Sequence, residues 1–292
     1  MNYFLLFLTA LFIVFQKFCQ DRYNARRDSG VFLFSGMISF FAMCFFMAVN
    51  RDWTWSKELI IPAVAFGLSY AAATVFVVLA IKCGSLAKTT LITSYSLMVP
   101  ALAGLIVLKE SIGIPMIAGM ILLVLSLWLT NYRKRSADAP KEKFTLKWLI
   151  FVLLGFIGNG MCSTVQKLAP HYLGADVNLT LSTIAALGLS SVVLITASFL
   201  TKETDLRSTL KVGAPLSLFC GLFNGAVNYL AIYLNQFIPA SVMFPVLSAG
   251  EIILIVPYSL LVRREKYRRV EDFYDKGDVA PLGRLNFVYR GE

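Results

Sequence analysis

The chain has 292 residues, 58% of them hydrophobic and only 15% charged, and its mean hydropathy is +0.70. Soluble domains average about 45–50% apolar and about 25% charged residues, so the excess of apolar side chains needs a solvent other than water. The net charge of +10 would suggest nucleic acid in a soluble protein, but Lys and Arg gather in short polar stretches such as "NYRKRSADAPKEK" at 131–143. That is the pattern of topology signals and lipid-facing loops, and no nucleic-acid partner is expected.

In chain order, nine runs reach the roughly 20 apolar residues that a helical membrane span needs. They cover 2–20, 30–49, 58–82, 86–108, 112–131, 147–169, 177–200, 212–235 and 239–262. Runs of this length are helices, because in lipid every backbone group must find its partner within its own segment. The first run has neither a basic start nor a small-residue cleavage site, and so reads as a retained span rather than a signal peptide. Between the fifth and sixth runs stands a basic linker, 132–146. The five cysteines are scattered, no CxxC occurs, and His171 is the single histidine. No metal, disulfide framework or other cofactor is expected.

The greasy first run ends in "IVFQKFCQ" (13–20), and the sixth in "STVQKLAP" (163–170). Gln16-Lys17 and Gln166-Lys167 are thus 150 residues apart. "LAI" recurs at 79–81 and 230–232, 151 apart, and the glutamates that close "LKE" and "RRE", Glu110 and Glu265, are 155 apart. A near-constant offset marks a tandem duplication. The first copy holds five runs, an odd number, so the second copy enters the membrane from the opposite side. Two such halves are related by a pseudo-two-fold axis in the membrane plane, an architecture of secondary transporters. The predicted fold class is an all-α polytopic membrane protein. It consists of a first repeat at 1–131, the linker 132–146, a second repeat at 147–265 and a charged tail at 266–292.

The spans, the lysine-bearing first span of each half, the stretch "LKESIGIPMIAGMILLVLSLWL" (108–129) and "PVLSAGEIILI" (245–255) resemble the drug/metabolite transporter superfamily. Within it the EamA-type transporters are most similar. The resemblance covers about residues 1–265. It implies a ten-helix carrier of a small organic solute, often an exporter coupled to ions or exchange, in the bacterial plasma membrane. The chain departs from that pattern after residue 263. The tail carries no apolar window long enough to span, so the second half has four spans and the tenth is absent. The abrupt change in character points to a frameshift or artificial terminus in preference to a genuine nine-span variant. The fifth helix would then lack its symmetry mate, and lipid or a second chain, as in a homodimer, would have to cover the neighbours of the missing helix. Loop charges place Arg22, Arg26, Arg27, Lys82, Lys88, the linker cations, Lys202, Arg207 and Lys211 on one side. Arg51, Lys57 and Lys109 fall on the other. Positive-inside reasoning makes the crowded side cytoplasmic and the N-terminus external, whereas the resemblance implies an internal N-terminus.

Polar residues inside the runs are the candidate site. Glu251 sits mid-run, where a charge costs at least ~2.5–3.5 kcal/mol. Such a carboxyl faces a cavity, is paired, or is neutral, and a proton gained and lost there would couple transport to protons or another ion. Lys17 and Lys167 either snorkel to the headgroups or face a central cavity with Gln16 and Gln166, biasing it toward anionic or zwitterionic solutes. Asn224 and Asn228 share a helix face, with Tyr229 beside them. Asn159, Tyr70, Ser94 and Tyr95 are similar polar intrusions, either cavity wall or interhelical bonds. Pro100, Pro245 and Pro257 interrupt the fourth and ninth spans as kinks or hinges. Gly155, Gly158, Gly221 and Gly225 read as packing positions. No P-loop, catalytic carboxylate pair or Ser-His constellation is present, so a non-enzymatic secondary carrier is expected. A lipid-metabolism enzyme and a non-transporting scaffold are the alternatives.

Overall fold

The computed structural model describes residues 2–27, 29–109, 145–174, 178–201 and 206–261, with isolated positions 114, 117 and 121. Apart from those three positions, the fifth run lies outside the described residues, as do most of the linker and the tail. Among the described residues there is no strand. The helices are α1 (Asn2–Arg26), α2 (Val31–Val49), α3 (Ile60–Cys83), α4 (Leu86–Ser94), α5 (Met98–Val107), α6 (Leu146–Leu173), α7 (Leu179–Leu200), α8 (Leu206–Leu234) and α9 (Ala240–Leu261). A one-turn 3-10 segment, Lys57–Leu59, leads into α3, and another, Tyr95–Leu97, joins α4 to α5. Seven segments are long and apolar enough to cross a membrane: α1, α2, α3, the α4–α5 unit, α6, α7 and α8. In α9 the apolar stretch is Val242–Ile255. The chain is an all-helical polytopic membrane protein in its described part.

Local chemistry sets the helix ends. Ser85, Thr145 and Asn178 stand before α4, α6 and α7, and their side-chain oxygens accept from the backbone N–H of Lys88, Trp148 and Leu181. Each satisfies one of the donors left open at a helix start. Gly174 closes α6 at φ +98°, a conformation that costs a residue with a Cβ dearly. The fourth run, read as one span, is interrupted. Pro100 has no N–H to return to the carbonyl four residues back, and the backbone tightens into the 3-10 turn just before it. Pro245 and Pro257 do not interrupt the ninth span, since α9 is helical throughout; the Pro257 side chain lies outside the described residues.

The bundle encloses buried polar side chains among an apolar core and turns apolar side chains outward. Ser35, Ser39, Thr89, Thr90, Ser96, Ser190 and Ser248 are fully buried, while Ile61, Ile106 and Leu200 are more than three-quarters exposed. Helix α3 packs on α6 and α7, α2 on α7 and α8, and α1 on α8 and α9; α4 and α5 meet α6 and α9. Small residues permit the close approaches. An added Cβ at Gly67 would meet the Ala186 carbonyl, one at Gly158 the backbone of Ser69 and Ala73, and one at Gly221 the Ile38 carbonyl.

Contacts fix which ends share a face. Asn24, late in α1, donates to the Val78 carbonyl late in α3 (3.0 Å), and Arg27 reaches Thr209 at the start of α8 (3.5 Å). Trp148, at the start of α6, lies against Gly84 just after α3. Tyr258, near the end of α9, donates to Asp21 (3.4 Å). On the opposite face Asn178, before α7, donates to the Asp52 carbonyl after α2 (2.8 Å). Thus α1 and α6 run in opposite directions, and so do α2 and α7, α3 and α8, and the α4–α5 unit and α9. Arg22, Arg26, Arg27, Lys82, Lys88, Lys147, Arg207 and Lys211 lie on the first face. Arg51, Lys57 and Lys109 lie on the second.

Candidate functional site

A cavity of about 110 Å³ lies inside the bundle, walled by α1, α3, α4, the Tyr95–Leu97 turn, α6, α8 and α9. Liquid water takes roughly 30 Å³ per molecule, and pockets for drug-sized ligands run to roughly 300–1,000 Å³. In this conformation the cavity therefore suits a few waters or a small solute. Eight of the candidates line it: Gln16, Lys17, Tyr70, Asn159, Gln166, Asn224, Asn228 and Glu251.

One polar chain links three helices across the cavity. Tyr70 Oη on α3 donates to Asn224 Oδ1 on α8 (2.6 Å). Asn228 Nδ2 donates to that same oxygen and to the Asn224 carbonyl (both 3.0 Å). Gln166 Nε2 on α6 donates to Asn228 Oδ1 (3.0 Å). These four side chains thus tie α3, α6 and α8 together and hold one another's rotamers.

A second cluster surrounds the break between α4 and α5. Asn159 Nδ2 donates to Ser96 Oγ (2.7 Å), and Ser96 donates to the Thr93 carbonyl (2.5 Å). Ser248 Oγ of α9 donates to the Ser94 carbonyl (2.8 Å). Ser94 Oγ hydrogen-bonds to Glu251 Oε2 at 2.7 Å. Carbonyls loosened by a 3-10 turn are thus met by side chains, which is the condition for irregular backbone at membrane depth. Glu251 is only 4% exposed. It and Lys17 face the same cavity and act on each other electrostatically.

The remaining candidates stand elsewhere. Lys167 follows Gln166 on α6 but is about 100° further round the helix; it is half-buried and is not among the cavity-lining residues. Ser94 and Tyr95 sit just behind the wall, Ser94 bonded to Glu251 and Tyr95 packed near Leu91 and Ile252. Tyr229 is 39% exposed and lies edge-on to Phe45 and Phe46. It borders a separate cleft of about 720 Å³ on the second face, lined also by Asn50, Arg51, Asp52 and Asn178. There the hydroxyl and amide of Thr54 (2.7 and 2.9 Å) hold the exposed Asp52 carboxyl below the usual carboxylate range. Pro100 and Pro245 are buried but do not line the cavity.

Sequence reasoning passed over Gln20, Thr74 and Ser163, all cavity-lining; Thr93, which it grouped with Ser94 and Tyr95, lines the cavity too. Gln20 is 1% exposed, and its Oε1 has no hydrogen-bond partner. A signal was there: Gln20, Thr74 and Ser163 each lie four residues beyond a candidate (Gln16, Tyr70, Asn159), and so share its helix face. Among the described residues no group of three His, Cys, Asp or Glu could hold a metal ion. No protein-family model matches the chain, and no curated protein matches it in sequence.

Proposed function

We propose that the chain is a secondary carrier of a small organic solute, working by alternating access with Lys17 and Glu251 in its binding cavity. The observation that carries this reading is the placement of those two ionisable side chains against one polar cavity inside an apolar bundle. Burying charge in a membrane is costly, and such groups face solute or ion pathways. Without a solute to bind, an amine, a carboxyl and a ring of amides would be replaceable by apolar side chains at a gain.

The architecture of the proposal is an inverted repeat of two halves. Exchanging α1 with α6, α2 with α7, α3 with α8 and the α4–α5 unit with α9 carries the main packing pairs onto one another. The α3·α6 pair becomes α8·α1, α3·α7 becomes α8·α2, and α1·α9 becomes α6 with α4–α5. Ser39 and Ser190, 151 residues apart in the chain, hydrogen-bond to each other (3.0 Å) where α2 crosses α7. That spacing equals the repeat offset, so the two stand as counterparts meeting at the axis. The cavity draws its walls from both halves, which is where carriers built of inverted repeats bind. The likeness to EamA-type transporters points the same way and suggests a bacterial plasma membrane.

Solute exchange in proteoliposomes tests the proposal. Vesicles preloaded with one of a panel of small carboxylates and zwitterions should take up the radiolabelled form of at least one of them. Lys17→Gln should abolish that exchange at unchanged protein content. If no panel member exchanges above empty vesicles, the carrier reading fails.

A further inference from the structure

Ser94 Oγ lies 2.7 Å from Glu251 Oε2 and 2.7 Å from the Thr90 carbonyl oxygen. A hydroxyl has one hydrogen to donate, while carbonyl and ionised carboxylate oxygens only accept. With Glu251 ionised, one of the two contacts would set lone pairs against lone pairs at hydrogen-bond distance. A proton on Glu251 resolves this: the carboxyl donates to Ser94, and Ser94 donates to Thr90. The Ser94 carbonyl is itself engaged by Ser248, so the hydroxyl is held between these partners at the break in the fourth span.

Among the described residues, the elements packed on α9 supply Glu251 with one cationic neighbour across the cavity, Lys17 of α1. The other titratable groups of those elements lie elsewhere. Cys19 packs in the α1–α2–α3 core, Asp21 meets Tyr258, Lys88 stands at the first face, and Tyr95 packs near Leu91 and Ile252. Helix α5 carries none. The charge of the cavity is then set by one proton. With Glu251 protonated, the ammonium of Lys17 leaves it one positive charge; with Glu251 ionised, the two cancel.

We propose that the cavity binds a small organic anion together with one proton, the anion on Lys17 and the proton between Glu251 and Ser94, so that both cross in the same direction. This rests on the carrier reading above and assigns its solute class and coupling. Ser94 is a positioning residue: it acts through Glu251 and orients the carboxyl. Release of the proton restores the negative charge opposite Lys17 and expels the anion. By linkage, the anion in turn holds the proton.

Two measurements on the full chain in lipid nanodiscs test this without requiring transport. The first is the infrared carbonyl stretch of a protonated carboxylic acid at neutral pH. We expect a band that Glu251→Gln removes, Ser94→Ala displaces and Ser94→Thr restores. Absence of a band sensitive to Glu251→Gln, or one that Ser94→Ala leaves in place, overturns the proton site. The second is binding of lactate, as a small carboxylate probe, across a pH series. Affinity should fall by up to about tenfold per pH unit once Glu251 ionises, as one linked proton requires. Glu251→Gln should bind tightly with no pH dependence, Lys17→Gln should lose binding, and Lys17→Arg should keep it. Affinity that rises with pH, no measurable lactate binding, or loss of binding in Glu251→Gln overturns the co-binding. Solute exchange that fails while both measurements succeed ends the carrier reading alone.

Discussion

The close approach of α6 to α3 at Gly158 gives a sharp test of the packing. At Gly158 on α6, a Cβ would lie 2.7 Å from the Ala73 nitrogen, 2.8 Å from the Ser69 carbonyl oxygen and 3.0 Å from the Ala73 Cα. All three are backbone atoms of α3 and cannot swing aside. Non-bonded heavy atoms pack best near 3.5–4.0 Å, so Gly158→Ala must push α6 away from α3 by ~0.7 Å or more. Overpacking of this kind costs about 1–3 kcal/mol, set against a gain of ~0.5–1 kcal/mol from replacing glycine inside a helix. The net expectation is a loss of about 1–2 kcal/mol. Gly188→Ala is the control. There the new methyl would meet only Met43 Sδ, at 3.2 Å, on a flexible side chain, so the helix gain should dominate. Unfolding in mixed micelles, followed by circular dichroism over a denaturant series, reads both variants on one scale. If Gly158→Ala is as stable as Gly188→Ala, then α3 and α6 do not approach as described, and the walls of the cavity are misplaced with them.

Tyr70→Phe should cost little, on the order of 0.6 kcal/mol for an average hydrogen bond in a membrane bundle, because Asn224 Oδ1 keeps its bond from Asn228. Asn224→Leu strands the buried Tyr70 hydroxyl, whereas the Asn228 amide keeps the backbone carbonyl of residue 224, and should cost about 1–3 kcal/mol; equal losses in the two variants by the same unfolding assay would contradict the network. Cysteines placed at Arg26 and Thr54 should react with a membrane-impermeant maleimide from opposite sides of sealed cells. The excess of cations on the first face makes Arg26 the internal position, and labelling of both from one side would refute the helix directions. The Asp52 carboxyl, held below its usual range by Thr54, supports the loop after α2 at pH values above the ordinary carboxylate range. That support should vanish as pH falls through the lowered folded value. Amide exchange at Thr54 should accelerate there in the wild type and be fast at all pH values in Asp52→Ala.

What could be read from residue order was what depends on segment composition. Long apolar runs fix helices, because lipid offers the backbone no partner; of the nine runs, seven have described segments that meet the length and hydropathy of a span. Gln16, Lys17, Asn224 and Glu251 were legible because a polar group inside a greasy run has no cheap place except an interior. Which way each one points was not legible. Gln166 and Lys167 are neighbours in the chain, yet only the first lines the cavity, because helical rotation and the packing of α6 on α3 decide the side. Ser94 was visible as a polar intrusion, but its role depends on α9 bringing Glu251 to within 2.7 Å from 157 positions away. The break at Tyr95–Leu97 was signalled by Pro100, whereas Pro245 carried the same signal inside a helix that runs on. Composition alone placed the chain in a membrane, since the free energy of leaving water adds up residue by residue. The cavity, the meeting of Lys17 and Glu251 on it and the contact of Ser94 with Glu251 came from tertiary structure, because they exist only where helices distant in sequence meet.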